Sequence, residues 1–273
     1  MKGARLTRAL CALLGSPVAA AAQGTAPAAA AFRYTASQLD CTALAEHSRS
    51  RLDGQTGTRL RRETLTRDGL WRLRARPAVR MVQLEAWYDS LSLTRESAEG
   101  TLTPDTDGLL GGRYRGKLTA TGHYVAEARP FIPDEVAEVA ELSGALEDLL
   151  PPLPPAALAV GQRWADSSGL ELERLPDSTA GQRVIRRLAL KARGERSEAT
   201  VRGEPITLPA RQTTTETGQV DWVPGEGLVR RARHIVVETT VPAGGPLRQP
   251  LRSRLEQDVV LVRVRGDVNC GGR

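Results

Sequence analysis

The sequence predicts a mainly β protein: a large curved antiparallel sheet, a half-barrel or open barrel, with one amphipathic helix at about 133–150 in mid-chain. Three observations predict it. Apolar and polar residues alternate with a period of two along most of the chain, as in strands buried on one face. Clusters of Gly, Pro and Asp punctuate these runs at turn spacing. A single stretch, Pro133 to Leu150, has its apolar residues at helical spacing instead.

The chain opens with a segment of a different kind. Lys2, Arg5 and Arg8 precede the apolar run Ala9 to Leu14, and Ala20-Ala21-Ala22 makes a small-residue exit before Gln23. This reads as a signal peptide over 1–22, which places the mature protein in the periplasm or outside the cell. Its apolar run is well short of the ~20 residues that span a bilayer, and no later segment is long enough, so no transmembrane segment is expected. Residues 23–31 are Ala/Pro-rich and read as a disordered spacer. The remainder, 32–273, reads as one β domain in two halves, 32–130 and 161–268, joined by the helix and a Pro-rich linker over 131–160.

Strands are expected at 58–66, 70–76, 81–88, 90–97, 113–121 and 124–128 in the first half. The second half adds 170–175, 183–193, 199–203, 206–217, 219–223, 228–241 and 251–265. In Leu70 to Arg76, Trp71, Leu73 and Ala75 point one way and three arginines the other. Asp68-Gly69 between two such runs is a hairpin signal. The last strand holds Val259-Val260-Leu261-Val262, apolar on both faces, so its middle is expected to be central and covered. Asp68-Gly69-Leu70 and Gly225-Glu226-Gly227-Leu228 share a Gly-Leu turn entering an Arg-studded strand, a short trace of an internal repeat.

Pro133 and Asp134 start the helix and Pro151-Pro152 stop it. Val136, Val139, Leu142, Leu146 and Leu149 form its core face. Its polar face is acidic throughout: Asp134, Glu135, Glu138, Glu141, Glu147 and Asp148.

Of the three cysteines, Cys11 falls in the leader. Cys41 and Cys270 remain near the ends of the mature chain, and in an oxidising compartment such a pair is expected to bond. Removing Lys2, Arg5 and Arg8 from the 38 basic residues leaves 35 against 32 acidic, a net charge of +3. That balance, without basic patches interleaved with aromatics, argues against nucleic acid as a partner.

Little in the chain points to catalysis. His47, His123 and His234 are scattered and match no zinc spacing, so no metal or cofactor is expected. Pro104-Asp105-Thr106-Asp107-Gly108 has half the ligands of a calcium loop and reads as a turn. Gly111-Gly112-Arg113-Tyr114-Arg115-Gly116 precedes a strand, where a phosphate loop would open a helix. Asp166, Glu171 and Glu173 near Trp164 read as surface acids. The arginines of 71–76, 183–193 and 230–233 are expected on an outer face, where they read as solvated and balanced by acids; the alternative gathers them into a cationic surface, a site for an anionic polymer or a lipid head group.

One stretch carries a resemblance. The run Leu150-Pro151-Pro152-Leu153-Pro154-Pro155, then Val160-Gly161-Gln162-Arg163-Trp164, and later the Gly225-Glu226-Gly227-Leu228 turn, resembles a group of uncharacterised secreted bacterial β domains. The resemblance implies a large antiparallel sheet around one or more helices, similar in architecture to periplasmic lipoprotein carriers and lipid-binding lipoproteins. It implies no catalytic residue.

The expected function is therefore non-enzymatic: an exported protein that binds a hydrophobic or amphipathic ligand, such as a lipid, on its curved sheet. The alternative is a structural or interaction module of the cell envelope, with the acidic helix or the arginine face meeting an envelope protein. An enzyme without a recognisable motif is the third reading.

Overall fold

The computed structural model describes residues 29–142, 144–200, 207–244 and 247–264. The expected signal peptide, most of the spacer and Cys270 lie outside these residues.

The molecule is built on one antiparallel sheet of twelve strands. Its first arm comprises β1 (Thr42–Thr56), β2 (Arg59–Ala78), β3 (Met81–Ser97), the short β4 (Gly100–Leu102), β5 (Tyr114–Leu118) and β6 (Tyr124–Ala128). Its second arm comprises β7 (Arg163–Ala165), β8 (Leu170–Ala180), β9 (Arg183–Thr200), β10 (Thr207–Val223), β11 (Gly227–Val241) and β12 (Leu251–Arg263). The order across the sheet is β6-β5-β3-β2-β1-β12-β11-β10-β9-β8-β7, with β4 on β3. The first arm runs from the centre to one edge. The chain then crosses to the far edge and returns strand by strand until β12 pairs with β1. The two expected halves therefore form one continuous sheet. The two matched segments are placed differently: Asp68-Gly69-Leu70 runs inside β2, while Gly225-Glu226-Gly227 turns between β10 and β11.

Asp68-Gly69 is not a turn. It lies inside β2, opposite His47 and Glu46 of β1. A Cβ on Gly69 would come within 2.9 Å of the Tyr88 ring, so glycine here makes room for an aromatic side chain on the neighbouring strand. Gly225-Glu226-Gly227 is a genuine turn between β10 and β11, with both glycines at positive φ. The central strand β1 occupies a stretch where the sequence predicts no strand. Its inward residues include Glu46, Ser48 and Ser50, all buried, and polar residues facing inward erase the alternation. The middle of β12 is central as expected but covered on one face only: Leu261 is buried, while Val262 is 42% exposed.

The crossing segment, residues 129–162, lies over the inner face. It contains α2 (Asp134–Val139), six residues long, in place of the eighteen-residue helix that the spacing predicts; α1 (Ala36–Leu39) is shorter still. The chain turns extended at Ala140 and continues in turns. Two causes are visible. The acids after Asp134 place negative charge at what would be the helix C-terminus, against its dipole. Sheet side chains also claim carbonyls that a longer helix would keep: Arg95 Nη1 donates to Glu138 O at 3.0 Å and Tyr114 Oη to Leu142 O at 2.9 Å. Val136, Val139, Leu142, Leu146 and Leu149 are nonetheless all buried.

The arms approach each other at the end of the sheet that this segment covers. Tyr34 N donates to Ala120 O, just beyond β5, while the Tyr34 ring packs 5.4 Å from Trp222 of β10. Flat, β5 and β10 would stand about 29 Å apart, six strand spacings. One residue, through its backbone on one side and its ring on the other, bridges them only because the sheet curls. Phe32, Tyr34, Trp71, Tyr88, Tyr114 and Trp222 form the centre of this core. Ala30, at the end of the expected spacer, is buried and pairs with Leu158.

Val264 N donates to Ala43 O at 2.9 Å, so the chain leaves β12 two residues from Cys41. The sequence predicts that Cys41 bonds to Cys270, which lies outside the described residues. The Cys41 and Cys270 thiols should resist alkylation until a reductant is added; full labelling of both without reductant would refute the bond.

Candidate ligand-binding site

The inner face of the sheet is covered unevenly. At the Tyr34–Trp222 end the crossing segment fills it. Toward the hairpin that joins β1 to β2, Leu52 of β1, Leu65 of β2, Val237 of β11 and Leu255 of β12 share that face and remain only half-buried. Here the sheet and the crossing segment enclose a cavity of about 420 Å³, lined by Ser50, Leu52, Leu65, Arg67, Val139, Ala140 and Leu255 among others. That volume lies within the range of small-molecule sites.

A much smaller chamber of about 40 Å³ adjoins it, deeper under the crossing segment. The two share Arg67, Ala145, Asp148 and Gln257. The chamber is lined by charge. Arg67 Nη2 is hydrogen-bonded to Glu46 Oε1, and Glu46 Oε2 accepts from Trp71 Nε1 at 2.8 Å. Burial by itself would lower the Arg67 pKa, but the Glu46 carboxylate together with Tyr88 and Asp148 holds the group above its ordinary value. Across the floor, Arg231 and Arg233 of β11 share Glu216 of β10, at 3.5 and 3.1 Å. Arg231 also donates to the carbonyl of Asp148, which ties the crossing segment to the sheet. Arg231 is 6% exposed, and its pKa is lowered to about 10, by burial first and by the neighbouring Arg233 next. The buried Nε–H groups of Arg67 and Arg231 find no acceptor among the described residues. Each such orphan costs about 1–3 kcal/mol or more.

Sequence reasoning missed this cluster for two reasons. Arg67 precedes Asp68-Gly69 and so falls in the expected turn. Arg231 and Arg233 belong to the run expected on an outer face, but the register sets them opposite Leu261 and Val259 on the inner face. The signal that identifies their face is their period-two continuation into Ile235 and Val237. Arg230 does face outward, toward Asp221.

The other candidates lie elsewhere. His47–Asp68 and His234–Asp258 are exposed pairs at 2.6 and 2.8 Å on the outer face. His123 sits in the β5–β6 turn. Asp105 caps Asp107 N at 2.9 Å in a turn, and Asp166 caps the turn before β8 through Ser168 and Leu170. Glu171 is exposed, and Glu173 pairs with Arg163 at 2.8 Å. Arg113 lies over the Trp87 ring, 3.4 Å from its centroid. Among the described residues no group of His, Cys, Asp and Glu could hold a metal ion, and no helix is long and apolar enough to cross a membrane.

No family model and no curated protein sequence matches the chain, so the resemblance to secreted bacterial β domains gains no support from either comparison. Among solved structures, one titled "Lipid-protein interactions in lipovitellin" is similar, with a TM-score of 0.48 and 8% identity. The match covers 86% of this chain and 26% of the lipovitellin chain, so this chain spans about a quarter of that protein's length.

Proposed function

We propose that this is an exported, non-enzymatic protein that holds a hydrophobic or amphipathic ligand in the trough between the crossing segment and the inner face of its sheet. The observation that carries this reading is the uneven cover. Leu52, Leu65, Val237 and Leu255 line a continuous inner face that no described residue fully covers, and a cavity of about 420 Å³ opens onto it. An antiparallel sheet this large must hide one face from water, and a bound apolar ligand completes that burial.

The test is direct. Protein purified from a native host should carry lipid that organic solvent extracts and mass spectrometry identifies. After delipidation it should take up an apolar dye. Widening the trough with Leu255→Ala should change that uptake by several-fold, while Leu60→Ala, at a residue 77% exposed on β2, should not. Delipidated protein that binds neither lipid nor dye would end the proposal.

A further inference from the structure

We infer that this trough selects amphiphiles with an anionic headgroup, the carboxylate or phosphate lodging among Arg67, Arg231 and Arg233 while the hydrocarbon tail lies along Leu52, Leu65 and Leu255. The inference rests on the ligand-binding reading above and names the ligand's chemical class.

Charge is the first argument. Three guanidinium groups face the chamber, and two carboxylates under the same cover, Glu46 and Glu216, oppose them. The third acid, Asp148, has a side chain 77% exposed and stands 3.8 Å from Arg233, so water screens it. Among the described residues the enclosed cluster thus holds one cation in excess. Unmet hydrogen bonding is the second argument. Among the described residues, the buried Nε–H groups of Arg67 and Arg231 have no acceptor. A carboxylate or phosphate oxygen is the acceptor that a guanidinium fits best, often through two parallel bonds. A neutral apolar ligand would leave these donors unmet, and a cationic one would add repulsion. The depressed pKa of Arg231 reports the same shortage, because burial and Arg233 both disfavour its charge and a nearby anion would offset them. Contiguity is the third. Chamber and trough share Arg67, Ala145, Asp148 and Gln257, so a head in one leads directly to a tail in the other.

The experiment uses the delipidated full chain and two fluorescent probes that differ only in the head: cis-parinaric acid and its methyl ester, titrated at pH 8. The acid should bind at least tenfold more tightly. Arg231→Gln should remove most of that preference by weakening the acid alone, and Arg231→Lys should keep part of it. The comparison of acid with ester in the unsubstituted protein needs no variant to fold. Inorganic phosphate and dodecyl phosphate, compared by calorimetry, separate a free anion from a lipid headgroup; the dodecyl ester should bind far more tightly. Equal affinity for acid and ester would overturn this inference and leave the apolar trough standing. Inorganic phosphate binding as tightly as dodecyl phosphate would overturn it too, as a bare anion site. Failure of both parinaric probes to bind would bring down the ligand-binding reading and this inference with it.

Discussion

Glu46→Ala should destabilise the protein by about 3–5 kcal/mol, because it leaves the Arg67 guanidinium partly buried without its counter-charge. The side chains of Glu46 and Arg67 are 6% and 16% exposed, so water cannot replace the lost carboxylate without opening the core. The same carboxylate receives Trp71 Nε1, so the substitution also strands an indole donor at the centre of the aromatic cluster. For a domain of this size the melting temperature should fall by roughly 6–20 °C. Glu46→Gln keeps an acceptor for Trp71 and should cost less. The double substitution Glu46→Leu with Arg67→Met removes both charges and should recover much of the loss, since an apolar pair can replace a buried ion pair. That double variant should also lose preference for an anionic ligand, which separates the stability role of the pair from its recognition role. A melt for Glu46→Ala within about 2 °C of the unsubstituted protein would show that Arg67 is solvated, and the account of the chamber would fail.

Glu46 also shows why the sequence revealed the architecture better than the site. Trp71-x-Leu73-x-Ala75 and Val82-x-Leu84-x-Ala86-x-Tyr88 alternate cleanly because their inner face packs into the core, and the strands expected at 70–76 and 81–88 lie within the longer β2 and β3. Leu44-x-Glu46-x-Ser48-x-Ser50 faces inward just as firmly. Polar residues on that face remove the hydrophobic signal, so the central strand went unseen. The site resists sequence reading for the same reason: it consists of charged residues buried on a face where the pattern predicts apolar ones. Period-two reasoning assigns a face by hydrophobicity, and an inward arginine inverts it. The pairing of β12 with β1 depends on the chain crossing from one edge of the sheet to the other, a contact between distant segments that no local pattern encodes. The apolar spacing of 133–150 identifies residues that are buried, but the helix that this spacing implies is cut to α2 followed by turns, with carbonyls of both bonded to sheet side chains.

Those turns set up the second large effect. Leu146→Ala should cost about 2–5 kcal/mol, the loss of a buried leucine plus the cavity it leaves. Leu146 is 1% exposed and packs into the main core from the crossing segment, just beyond Ala145 on the cavity wall. Glu138→Gln should cost no more than about 1 kcal/mol, because its side chain is exposed and Arg95 bonds its carbonyl, which the substitution keeps. Thermal melts should separate the two substitutions by several degrees. Ligand uptake gives the same comparison a second reading. If the crossing segment is a fixed wall of the trough, Leu146→Ala should weaken binding in step with stability, and added ligand should restore part of the melting temperature by mass action. A melt unchanged by Leu146→Ala, together with lost uptake, would mean that the segment docks loosely and closes only over a bound ligand. The burial of the inner face would then depend on the ligand more than on Leu142, Leu146 and Leu149.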